Sequence, residues 1–314
     1  MSAAHAFAFS DPHEGKATHQ EGATHKNGFC VGGVSVGLSG ASRADVSLTL
    51  PLEPFRAKCS MPDIEIRVAW VGKIETRSGR QLFDSGSIWK LYENQDDFQF
   101  DFRASVYGVQ PYKRLMVDRN FRRAVLQMNE ECFVERRITA DPLEYPLDEL
   151  LITHRLTIEN ALELHGCGVV GPEAVSNLFI GHSGAGKSTT SRLWAALPDV
   201  RILSDDRIIL RRDSHQFFMY GTPWHGEAAF ALPERAPLKR VCVLEHGHGN
   251  VLTRLSPSQA VAELFARSFV PMHRHEYVES ALEFLQSVAE SVPCYRYSFE
   301  PDPRAVEKIL NLRD

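Results

Sequence analysis

Apolar and polar residues alternate with period two along Ile64–Val71, the signature of a half-buried strand. Two further strand-like runs, at 87–92 and 98–106, flank the polar turn Glu93-Asn94-Gln95-Asp96-Asp97, so residues 46–145 read as a β-rich domain. After Pro146 the period changes. Leu147, Leu150, Leu151, Ile158 and Leu162 fall near one face of a helix, with His154 interrupting the stripe, and predict a helix over 147–162 that joins two domains.

Residues 146–314 alternate between the two periods. Strands are expected at 175–180 and 200–203 around a helix at 187–197, then a hairpin of 208–211 with 217–220 about the turn Asp213-Ser214-His215, and a strand at 241–245. Helices are expected at 258–269, 278–288 and 304–312, which makes this an α/β domain with a mixed sheet. Residues 1–45 are rich in Ala, Gly, Ser and His and poor in large apolar side chains. They predict a disordered tail. His5, His13, His19 and His25 recur there without Cys or carboxylate partners at ligand spacing, so no metal site is assigned to them.

Composition narrows the function classes. In a chain of 314 residues, 43% hydrophobic and 24% charged is the balance of a globular protein with a sizeable core. A net charge of −5 argues against a polybasic surface for nucleic acid or anionic membrane. No run approaches the roughly 18 apolar residues that span a bilayer, and no apolar signal core follows a basic start, so the expected location is cytoplasmic. Cys30, Cys59, Cys132, Cys167, Cys242 and Cys294 form no C-x-x-C pair and read as reduced thiols.

The most informative segment is Gly181-His182-Ser183-Gly184-Ala185-Gly186-Lys187-Ser188-Thr189, which satisfies G-x-x-x-x-G-K-[ST] between an apolar strand and a helix. Glycines let the backbone curl so that successive N–H groups aim at phosphate oxygens, and the following helix adds its positive end. A nucleoside triphosphate with Mg2+ is the expected guest, with Gly181, Ser183, Gly184, Ala185, Gly186 and Thr189 lining the cradle. Lys187 reaches the β and γ phosphates and Ser188 takes the metal. Asp205 and Asp206 follow the next strand, beginning 18 residues after Lys187. One carboxylate suits the metal and the other suits an attacking hydroxyl, with the assignment between them open. His165, 16 residues before Gly181, is placed at the end of the predicted helix and within reach of the phosphates.

The order His165-Gly166, strand, Ser183-Gly184-Ala185-Gly186-Lys187-Ser188, helix, strand, Asp205-Asp206 resembles the catalytic domain of bacterial HPr serine kinase/phosphorylases, and more distantly ATP-dependent phosphoenolpyruvate carboxykinases. The match covers about residues 165–212. It implies a P-loop kinase domain of that type with a mixed sheet, preceded by a smaller β-rich domain. It also implies ATP as cofactor, metal on Ser188 and a carboxylate of the Asp205/Asp206 pair, the other carboxylate acting on a serine hydroxyl, and His165 in the active site. Thr189 stands where HPr kinases usually carry Glu, and their glycine-rich segment linked to phosphorylase activity is absent downstream. These departures point to the broader HPr-kinase-like group, which includes proteins similar to kinases of ribosomally made peptides.

The phosphoacceptor expected is a serine of a protein or peptide, with a small molecule as an alternative acceptor and a nucleotide-switched binding module as an alternative function. Acceptor contacts are expected from Trp224, His225 and Glu227, which share one loop, and a transition-state cation from Arg274, with Arg192 and Arg207 as alternatives. HPr kinases form oligomers, and by that analogy a homo-oligomer is open to this chain.

Overall fold

The computed structural model describes residues 24–75, 79–94, 97–134, 141–172 and 175–312. It is a mixed α/β chain built on two mixed sheets of 8 and 9 strands. The first sheet uses β1 (His25–Val31), β2 (Val34–Gly40), β3 (Ile64–Val71), β4 (Arg80–Asp84), β5 (Trp89–Asn94), β6 (Asp97–Phe102), β7 (Lys113–Asp118) and β8 (Arg123–Asn129). Their order is β1-β2-β3-β8-β7-β6-β5-β4, with β3 parallel to both β2 and β8 and every other pair antiparallel.

The expected tail of 1–45 is corrected from residue 25 onward, because 25–40 form the β1–β2 hairpin; residues 1–23, with His5, His13 and His19, lie outside the described residues. Composition hid this hairpin. Phe29, Val31, Val34, Val36 and Leu38 alternate inward on either side of Gly32 and Gly33, whose positive φ values let the chain reverse in two residues. The turn also docks on the second sheet: a Cβ on Gly32 would stand 2.5 Å from Ile209 Cδ1, and Arg211 Nε donates to the Gly32 carbonyl at 2.8 Å.

After the short helix α1 (Glu130–Val134), α2 (Leu147–Leu156) buries Leu147, Leu151, Ile152 and Leu156 in the core of the first sheet. It is shorter than the expected helix over 147–162. Asn160, at φ 50°, ends the turn, and β9 (Ala161–Val170) begins at once, so His165 lies within a strand and not at a helix end.

The second sheet adds β10 (Ser176–Ile180), β11 (Arg201–Ser204), β12 (Arg207–Asp213), β13 (Gln216–Gly221), β14 (Arg235–Pro237), β15 (Arg240–His246), β16 (Val251–Arg254) and β17 (Cys294–Phe299). The order is β14-β13-β12-β9-β10-β15-β17-β16, with β11 also on β9; β10, β15 and β17 run parallel. Successive side chains face opposite ways, and helices cover both faces. Phe179, Cys242 and Leu244 pack with Trp194 of α3 (Lys187–Ala195) and Val306 and Ile309 of α6 (Pro303–Leu310). Leu178, Ile180, Val241 and Val243 pack with Leu264 of α4 (Pro257–Phe265) and Phe284, Leu285 and Val288 of α5 (His275–Ser291). Among the described residues no helix is long and apolar enough to cross a membrane.

Candidate functional site

The glycine-rich loop leaves the end of β10 and enters α3. Gly184 and Gly186 hold φ of 80° and 105°, a region costly for any residue with a Cβ, and around Gly184 there is nothing within 4 Å of where a Cβ would stand. Gly186 has the opposite constraint, because a Cβ there would lie 2.8 Å from the Phe299 ring. His182, Ser183 and Gly184 form the exposed lip, while Ala185 is buried beneath it and Gly181 is closed in by Ala185 and Leu244. Lys187 is 7% exposed and folds back over the loop, donating from Nζ to the carbonyls of Gly181 at 3.0 Å and His182 at 3.1 Å. Burial pushes its ammonium below the ordinary lysine value against the opposing pull of the Asp206 charge. Ser188 and Thr189 stand half-buried in the first turn of α3.

The sequential pair Asp205-Asp206 is split by the fold. Asp205 is 1% exposed and accepts three backbone N–H bonds from the following loop: Gly226 at 3.0 Å, Ala228 at 2.9 Å and Phe230 at 3.2 Å. A Cβ on Gly226 would stand 2.8 Å from the Asp205 carboxylate, so that loop position needs glycine to wrap so closely. Asp206 is half-buried instead and takes a bond from His165 Nε2–H at 2.9 Å on Oδ1 and one from Arg207 on Oδ2. Burial raises its carboxyl, but the His165 bond and the Arg207 charge outweigh that and hold it below the usual carboxylate range. Asp206 and Lys187 are close enough to shift each other's titration. The structure thus brings His165, Asp206 and Lys187 to one end of the sheet and turns Asp205 onto the loop.

Arg267 is a component that the sequence pattern hid. Residues 258–269 read as one helix, yet α4 stops at Phe265 and the chain continues extended beside β9, with His165 N donating to the Arg267 carbonyl at 2.7 Å and Phe269 N to the Glu163 carbonyl at 2.9 Å. This segment carries the 6%-exposed Arg267 against the lip of the glycine loop. Nη2–H donates to His182 Nε2 at 3.1 Å, Nη1–H to Glu263 Oε2 at 2.6 Å, and the buried Nε–H makes no hydrogen bond. No Gly, Pro or cap signal marks the helix end in the sequence.

The expected acceptor contacts separate. Trp224 does not face solvent: it is 8% exposed within the first sheet's core, and its indole N–H donates to Asp148 Oδ2 at 2.9 Å. An apolar ring whose one polar atom finds a buried carboxylate is more stable inside than on a ligand. His225 and Glu227 are exposed on either side of Gly226. Arg274 lies with its guanidinium 5.8 Å from the Phe98 ring and 5.6 Å from the Tyr277 ring, while Arg267 supplies the cation at the loop. Arg192 is exposed on α3, and Arg207 faces Asp206 and Glu149.

Among the described residues no group of three or more His, Cys, Asp or Glu forms a metal cage. No protein-family model matches the chain, and a search of the curated proteins finds no match. The site's own chemistry therefore carries the functional assignment.

Proposed function

We propose that this chain is an ATP- and Mg2+-dependent phosphotransferase of the HPr-kinase-like type, which moves the γ-phosphoryl group to a hydroxyl, foremost a serine of a protein or peptide. The observation that carries this reading is the convergence of Lys187, Arg267 and the Asp206–His165 pair on a glycine loop at a helix N-terminus. Phosphoryl transfer needs little covalent help; it needs positioning and charge where the γ oxygens and the attacking oxygen develop it.

The residues fit a nucleotide with its metal. Open space around Gly184 admits phosphate oxygens to the loop amides, and the α3 dipole favours negative charge there. Ser188 would hold Mg2+ together with phosphate oxygens, and the ion would neutralise charge on the β and γ phosphates. Lys187 would exchange its loop carbonyls for phosphate oxygens, and Arg267, bonded through Nη2 to His182 at the lip of the loop, would present its charge to the γ group. Asp206, kept ionised, is the carboxylate at the loop that would take the proton of the acceptor hydroxyl. Asp205 keeps the 226–230 loop in place, and the exposed His225 and Glu227 beside it would contact the acceptor.

The test is incubation with γ-labelled ATP and Mg2+ in lysate of the source organism. Label on a discrete acceptor, lost in Lys187→Ala and Asp206→Asn, supports the kinase. Tight ATP binding with label reaching neither acceptor nor water moves the assignment to a nucleotide-switched binding module.

A further inference from the structure

Two consecutive carboxylates on α2 reach the two consecutive aspartates by separate routes. Asp148 Oδ2 accepts the indole N–H of Trp224 at 2.9 Å, and Trp224 stands two residues before Gly226, the first amide on Asp205. Glu149 Oε1 accepts Arg207 Nε–H at 2.9 Å, and Nη1 of the same guanidinium bonds Asp206 Oδ2. We infer that Asp148 and Glu149 are a positioning pair, through which the helix of the first sheet's core fixes both aspartates relative to the phosphate loop. This rests on the phosphotransfer reading.

Neither carboxylate is a solvated surface charge, since Asp148 is 3% and Glu149 9% exposed. Both belong to a helix whose Leu147, Leu151 and Ile152 are locked in the first core. The Arg207 fork cannot turn freely either, because its Cζ lies 4.2 Å from the Phe269 ring centroid while its nitrogens bond two carboxylates.

The neighbouring Glu163 identifies which carboxylate carries the opposing charge. Thr153 Oγ–H lies between the Glu149 carbonyl at 2.8 Å and Glu163 Oε2 at 2.7 Å and is the donor towards both acceptors. Burial and the Glu149 charge push Glu163 well above the usual range, in agreement with a neutral acid. The line of charge is then Asp206 negative, Arg207 positive and Glu149 negative. Removing the Glu149 charge leaves Arg207 to Asp206 and to the more distant Glu163 Oε1 at 3.7 Å, and takes away the carboxylate by which α2 holds the guanidinium.

The experiment uses the full chain with Mg2+-ATP and water as acceptor, read as phosphate release, together with backbone amide exchange. Glu149→Gln is expected to lower kcat roughly tenfold to a hundredfold with KM for ATP within about twofold, since a misplaced reacting group costs rate more than ground-state binding. Arg207→Lys, which keeps the charge and loses the fork, is the second variant with the same expectation. An unchanged kcat in both, or a fall matched by a rise in KM, overturns the inference. In Trp224→Phe, the amides of Gly226, Ala228 and Phe230 are expected to exchange at least about tenfold faster with those of β9 unaffected; unchanged exchange overturns the Asp148 arm. A wild-type chain that passes phosphate neither to water nor to an acceptor in lysate sinks the phosphotransfer reading, and the exchange measurement still decides whether Asp148 holds the Asp205 loop.

Discussion

His165 Nε2 lies 2.9 Å from Asp206 Oδ1, across 41 residues of sequence. Antiparallel pairing of β9 with β12, in which His165 stands opposite Arg207, brings them together at one end of the second sheet. The pair ties the Asp206 carboxylate to the strand beside the one that feeds the glycine loop.

The two aspartates separate on substitution. Asp206→Asn is expected to reduce phosphoryl transfer by roughly 10²- to 10⁴-fold, the usual contribution of a positioned base, with little change in stability. Asp205→Asn is expected to lower stability by about 2 kcal/mol, because the amide oxygen that remains is an uncharged acceptor for Gly226 and Phe230 while the new NH2 leaves the Ala228 N–H without its acceptor. Single-turnover transfer assays and urea denaturation check both; equal catalytic losses with equal stability would contradict the division of labour.

The two cations at the loop are expected to act at different stages. Lys187→Ala is expected to weaken ATP binding roughly tenfold to a hundredfold, as loss of one charged hydrogen bond does. Arg267→Lys is expected to leave ATP affinity within about threefold and to slow transfer at least about tenfold, because an ammonium cannot reproduce the fork. Calorimetric titration with Mg2+-ATP, set beside the transfer rate, separates them.

Stability falls in mild acid. His154 lies between the Phe100 and Phe121 rings at 5.3 and 4.8 Å, donates from Nδ1 to the Leu150 carbonyl, and has a buried Nε2 without a hydrogen bond. Burial pushes it down to about 3, and burial with the Arg274 charge pushes its neighbour His273 down to about 4. From an unfolded value near 6.5 down to about 4, the unfolded chain binds more protons than the folded one, so stability is complete above 6.5 and declines as pH falls. For His154 the slope approaches about 1.4 kcal/mol per pH unit. Urea denaturation across that range, with His154→Phe flattening the slope, is the check.

Thiol reactivity follows burial. Cys132, Cys167, Cys242 and Cys294 are buried and Cys30 and Cys59 half-buried, and burial drives the Cys167 thiol far above its ordinary value and Cys294 up to about 12. An alkylating reagent is expected to label Cys59, and more slowly Cys30, in the native chain, and all six in urea. Rapid native labelling of Cys167 would contradict the packing under the glycine loop.

Local pattern marked β3, the strands and helix around the glycine loop, the β12–β13 hairpin and the three C-terminal helices to within a few residues, because each carries its own period, turn or loop chemistry. The β1–β2 hairpin escaped notice since glycine and serine composition outweighed five alternating apolar positions. The start of β9 falls inside the expected helix over 147–162 because Leu162 satisfies both periods, and a buried strand cannot be told from a helix by periodicity alone.

For the site, the sequence by itself determined the glycine loop with Lys187 and Ser188, and the nearness of an acidic pair, because backbone curvature and residue type act over a few positions. Tertiary structure decided what spacing cannot encode. It turned Asp205 onto loop amides and Asp206 onto His165, buried Trp224 against Asp148, and unwound the end of a predicted helix so that Arg267 meets His182. Each outcome depends on strand pairing and burial between segments tens of residues apart, where a polar group takes the partner that the fold brings to it.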